Sequence, residues 1–100
     1  MDMFETIEDI KRANKGIGHH WFDQGAMDFF DAIIHDRLIQ HPEGAYFVTS
    51  EQQSGRHPRL FTVRFARLTG EVNTVGPFQG FGGTEAAYAW AMGHRDSRQS

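Results

Sequence analysis

The residues best equipped for chemistry in this chain are its six histidines, and their spacing narrows what they can do. His19 and His20 are adjacent and lead directly into Trp21 and Phe22. Neighbouring side chains on an extended backbone point to opposite sides. Zinc ligands supplied by one element instead sit three or four residues apart, as in a helical His-Glu-x-x-His pattern. The adjacent pair is therefore a poor chelator. His35 and His41 are six residues apart and His57 belongs to another loop, so a composite site built from them carries no sequence signature. The expectation is that no metal binds. The pair is expected to divide, one histidine buried beside Trp21 with a ring nitrogen bonded to backbone and the other exposed, where an imidazole can titrate near neutral pH.

Other chemistries fail for want of a pattern. The absence of cysteine removes disulfides, thiolate metal sites and a thiol nucleophile, and fits a reducing cytoplasm. Ser50 and Ser54 lie in no Gly-x-Ser-x-Gly context. No carboxylate pair is placed by a motif of the kind glycosidases or aspartic proteases use. Gly80-Phe81-Gly82-Gly83 brings amides towards a helix start, but it lacks a P-loop lysine and the dinucleotide-binding spacing, so it reads as a strand-to-helix connection. No catalytic residue and no cofactor are predicted.

The elements that must position these residues follow from capping and periodicity. Thr6 caps a helix over Thr6–Lys15, with Glu8 and Asp9 at the positive end of the dipole, Ile7, Ile10 and Ala13 or Asn14 at helical spacing, and Gly16 as a left-handed cap. Asp23 caps a short second helix that turns Ala26, Met27, Phe29 and Phe30 inward, although Ala32-Ile33-Ile34 equally suits a strand. Tyr46–Thr49 and Leu60–Leu68 read as strands, the latter alternating Phe61, Val63 and Phe65 with Thr62, Arg64 and Ala66. A hairpin turn at Leu68-Thr69-Gly70-Glu71 leads to Val72–Val75 and on to Phe78. Thr84 caps a last helix, Glu85–Met92, which Gly93 ends, leaving residues 95–100 as a frayed tail. The prediction is a single α+β domain over residues 1–100: an antiparallel sheet of three to four strands with the helices packed on one face. Ala87, Trp90 and Ala91 would pack against Phe61, Val63 and Phe65, and the open face would show Thr62 and Arg64.

Charge divides the chain. Residues 1–50 hold nine acids against four bases, and residues 51–100 hold four acids against six arginines, for a net charge of −3. An acidic half steers towards basic partners, and an arginine-bearing half towards anions. One reading is therefore a nucleic-acid-binding module with Arg56, Arg59, Arg64 and Arg67 on a strand face and Tyr46 or Phe61 as stacking platforms. The overall acidity opposes it, because such binding rests on phosphate neutralisation. An acidic N-terminus and the absence of any run near the ~20 apolar residues of a membrane span predict a soluble, cytoplasmic protein with no membrane partner. Nine phenylalanines in a domain of 100 residues are hard to cover completely, which points to a homodimer.

The segments Lys11-Arg12-Ala13-Asn14, Gly18-His19-His20-Trp21-Phe22, Met27-Asp28-Phe29-Phe30, Tyr46-Phe47-Val48-Thr49-Ser50-Glu51-Gln52 and Phe61-Thr62-Val63-Arg64 follow one another in a specific order. In this the chain, from Ile10 to Ala91, resembles short proteins of unknown function encoded by bacteriophages and other bacterial mobile elements. Leu38–Gly44 departs from the resemblance in being longer than the compact turn expected there. The family carries no assigned activity to transfer. The resemblance implies an accessory factor that binds and disables a host protein or ribonucleoprotein complex, as anti-CRISPR and other anti-defence proteins do. Its contact residues would be His19, His20, Trp21, Phe22, Asp23 and Asp28, since aromatic side chains give large contact area for little lost entropy.

Overall fold

A computed structural model of the chain describes residues 3–18, 33–35, 37–52 and 55–99. The first helix, α1 (Ile7–Gly16), starts where its capping residues dictate. Thr6 Oγ1 accepts the Asp9 amide at 3.3 Å, and the Asp9 carboxylate accepts the amides of Thr6 and Glu5 at 3.1 and 3.0 Å. Donors left over at a helix start are thereby satisfied in both directions. The Glu5 amide above all, with the Thr6 amide and the Arg12 guanidinium, holds the Asp9 carboxyl below the ordinary carboxylate range. The left-handed residue at the other end is Gly18, with φ 74°, and not Gly16. The Ile17 amide still reaches the Ala13 carbonyl, which carries the helical ladder past Gly16.

Among the described residues five antiparallel strands follow: β1 (Ile33–Ile34), β2 (Ile39–His41), β3 (Gly44–Glu51), β4 (Leu60–Arg67) and β5 (Val72–Val75). β3 and β4 pair along their whole length, from Gly44 opposite Arg67 to Glu51 opposite Leu60, and β5 pairs with β4. β1 and β2 lie end to end along the far edge of β3. The sheet exceeds the expected three to four strands because β1 and β2, of two and three residues, are too short to show alternation in sequence. The short helix expected after Asp23 lies outside the described residues.

All eight residues of β3 are buried, so both faces of the sheet are covered. On one face Phe4, Ile7 and Ile10 pack against Ala45, Phe47, Ala66 and Val72. On the other, Ala87, Tyr88 and Ala91 of the last helix, α2 (Thr84–Gln99), pack against Ile39, Tyr46, Val48, Val63 and Phe65, with Phe61 and Trp90 at the margin. The expected stripe of α2 is present, but the helices do not share a face, and the expected open face with Thr62 and Arg64 is buried. Alternation shows which residues share a face and cannot show whether water or a helix lies over it.

α2 runs through Gly93 to Gln99. Gly93 is exposed with nothing near its Cβ position, and a mid-helix glycine costs only about 1 kcal/mol, which does not by itself end a helix. Gly70 holds α1 to the sheet. Its φ is 106°, its carbonyl accepts Asn14 Nδ2 at 2.9 Å, and a Cβ there would stand 2.4 Å from the Ala13 carbonyl oxygen.

Candidate functional site

Beyond the apolar footprint of α1, the same sheet face turns polar. Strand alternation puts Thr49 and Glu51 of β3, Thr62 and Arg64 of β4, and Thr74 of β5 side by side. Arg64 is 6% exposed and its guanidinium serves three strands. Nε donates to Thr49 Oγ1 at 3.0 Å, Nη2 donates to Glu51 Oε1 at 2.9 Å, and Nη1 donates to Thr74 Oγ1. The Thr49 hydroxyl in turn donates a hydrogen bond to Glu51 Oε1 at 3.0 Å. Burial pulls the Arg64 guanidinium below its ordinary value and the Glu51 carboxylate pushes it back up; an arginine so paired stays charged. The Phe78 ring lies 5.5 Å from the guanidinium carbon and is itself 60% exposed. It stands on a turn in which Gln79, with the left-handed φ of 52°, donates its amide to Thr62 Oγ1 at 2.8 Å.

The Glu51 carboxylate is used on one side only. Oε1 receives both donors, whereas Oε2 is buried with no hydrogen-bond partner among the described residues. Beside it a pocket of about 100 Å³ is lined by Glu51, His57, Pro58, Leu60 and Gln79.

Three further polar groupings occupy the α2 side. Ser50 Oγ lies 3.2 Å from His35 Nε2 and accepts Arg59 Nη1 at 3.0 Å. A serine beside a histidine is the beginning of a nucleophile–base pair. Here the hydroxyl is fully buried and Arg59 also bonds the Ser50 carbonyl, so the grouping ties the β1 edge and the β3–β4 end together. The Tyr46 hydroxyl lies 2.8 Å from His94 Nδ1, and the His94 ring stacks on Trp90 at 4.9 Å and 18°. His41 Nδ1 accepts the Glu43 amide at 3.0 Å, and its ring meets Phe65 edge-on. Among the described residues no three histidine or acidic side chains converge as a metal site.

A family model described as a family of unknown function, DUF7447, matches residues 6–92. The chain belongs to that family. The matched region of this DUF7447 member contains both helix–sheet contacts, the Glu51–Arg64 network and the Phe78 turn, and stops two residues before His94. No curated protein and no solved structure matches the chain. Among the described residues no helix is long and apolar enough to cross a membrane.

Of the residues singled out from sequence, His19, His20, Trp21, Phe22, Asp23 and Asp28 lie outside the described residues. The four arginines do not form one open face. Arg56 and Arg67 are exposed, Arg59 is bound to Ser50, and Arg64 is inside the sheet network. Tyr46 is fully buried and sits on the face opposite Arg64. Sequence reasoning missed Glu51, Thr49 and Thr74. Their signal was an acid two residues past one predicted strand and an arginine within the next. It also missed His94, whose signal was its position four residues after Trp90 on one helix face.

Proposed function

We propose that this protein works by binding another protein in fixed proportion, as an accessory factor of a phage or other mobile element that disables a host protein or ribonucleoprotein complex, anti-CRISPR inhibition being one form of this. The observation that carries the reading is Phe78. A large aromatic ring is held 60% exposed on a turn anchored to the sheet by the Gln79–Thr62 bond. Exposed aromatic anchors on rigid supports are what protein interfaces use for most of their binding energy. The groups that elsewhere do chemistry, the Ser50 and Tyr46 hydroxyls and the Arg64 guanidinium, are spent on internal bonds. The resemblance to mobile-element proteins supplies the context, and the acidic first half a long-range field towards basic surfaces.

The test is affinity capture from bacterial host lysate with the tagged protein and with Phe78→Ala, both checked for folding by circular dichroism and both repeated after nuclease treatment. The expected result is a defined protein complex at fixed stoichiometry, indifferent to nuclease, and bound at least about tenfold more weakly by the variant, as befits a contact worth about 1.4 kcal/mol or more. Capture of nucleic acid alone, or of the same complex unaffected by Phe78→Ala, refutes it.

A further inference from the structure

The backbone of the Phe78 turn is fixed at three points. Gly76, with φ 75°, lies against Trp90, whose ring would stand 2.7 Å from a Cβ there. The Gln79 amide is bonded to Thr62 Oγ1, and Phe81 exchanges both backbone hydrogen bonds with Phe61 of β4. These points place the turn and leave the rotamer of Phe78 open, and an exposed side chain changes rotamer within picoseconds to nanoseconds. What meets the ring is the Arg64 guanidinium, 5.5 Å from its centroid. That cation cannot follow a moving ring, because Thr49 and Glu51 of β3 and Thr74 of β5 hold all three of its nitrogens. We propose that Arg64 is the positioning residue of the Phe78 contact: the network fixes the guanidinium, and the guanidinium holds the ring in one rotamer, with its outer face presented before any partner arrives. A buried ion pair adds little stability over apolar side chains of the same volume, but it does fix a cation at a defined point. A cation at the face of an exposed ring favours that arrangement about two- to fivefold. Because apparent affinity falls with the fraction of molecules in the binding-competent state, the same factor carries over to binding, and in that respect the inference rests on the function proposed above.

Glu51→Leu/Arg64→Met removes the cation without stranding a charge, and Phe78→Leu removes the ring at an exposed position. In the purified ¹³C,¹⁵N-labelled chain, three-bond couplings about χ1 of Phe78 give its rotamer populations. The double variant is expected to lower the preference for the held rotamer about two- to fivefold. Exchange of the Gln79 amide is expected to stay unchanged, since the Gln79–Thr62 bond includes no member of the network. A merely structural role for Arg64 would speed exchange at Gln79 and along β3 and β4 and leave the couplings as they are, and that result overturns the proposal. Should the double variant not fold, Phe78→Leu decides: loss of the ring current is expected to shift the Arg64 Nε–H resonance, and an unmoved resonance overturns the proposal. In the capture experiment the double variant is expected to bind about two- to fivefold more weakly. Combining it with Phe78→Ala should bring no loss beyond that of Phe78→Ala alone, because Arg64 acts through the ring; an additive loss overturns the proposal. An empty capture counts against the function proposed above and leaves the couplings, measured without a partner, to decide the positioning.

Discussion

Replacing Arg64 by methionine keeps most of the side chain's apolar stem and deletes the guanidinium, so the magnitude follows from what it leaves behind. The Glu51 carboxylate, its side chain only 8% exposed, loses its cation, and Thr49 and Thr74 each lose a donor. Removing one partner of a buried ion pair costs about 3–5 kcal/mol, chiefly because the surviving charge is stranded. That is a large share of the 5–15 kcal/mol typical of a domain. The Glu51→Leu/Arg64→Met double variant strands no charge and loses only neutral hydrogen bonds, at roughly 1 kcal/mol each. It is therefore expected to be more stable than the Arg64→Met single variant. Urea unfolding followed by circular dichroism, with the slope checked for constancy, gives the four corners of the cycle. A coupling energy of at least about 2 kcal/mol is expected. Additive effects within about 0.5 kcal/mol, or a loss below about 1.5 kcal/mol for Arg64→Met, would refute the reading of this network as a buried, mutually dependent pair.

Thr6→Ala removes the cap of α1 and is expected to cost about 1 kcal/mol in urea unfolding. Asp9 is a carboxyl whose folded value is depressed. Its contribution is therefore fully present above the unfolded value near pH 4 and fades as pH falls through the folded value; Asp9→Asn should flatten the acid limb of the stability–pH curve. Tyr46→Phe deletes the bond to His94 Nδ1 and should lower stability by about 1 kcal/mol while leaving the circular dichroism spectrum unchanged. Gly70→Ala meets both a positive φ and the Ala13 carbonyl. It should cost more than about 1 kcal/mol and speed hydrogen exchange in the last turn of α1.

Local chemistry was legible wherever it is decided within a few residues. The Thr6–Asp9 cap, the Gly70 turn, the strand centres at Tyr46–Thr49 and Leu60–Arg67 and the Ala87–Ala91 stripe of α2 each rest on a short-range signal, and each stands in the structure. Three features were decided only when distant segments met. Thr62 and Arg64 read as a solvated face because a polar alternation looks the same whether water or a guanidinium network satisfies it; the partners, Glu51 and Thr74, come from two other strands. β1 and β2 exist because the edge of β3 offers them hydrogen bonds, with too few residues of their own to show a period. The placement of α1 and α2 on opposite faces depends on which apolar stripe each sheet face receives, a pairing that lies between elements and in no one of them. Caps, turns and alternation are written in the chain because their energies are local, whereas burial of a charge and the covering of a face depend on what the rest of the molecule brings to that point.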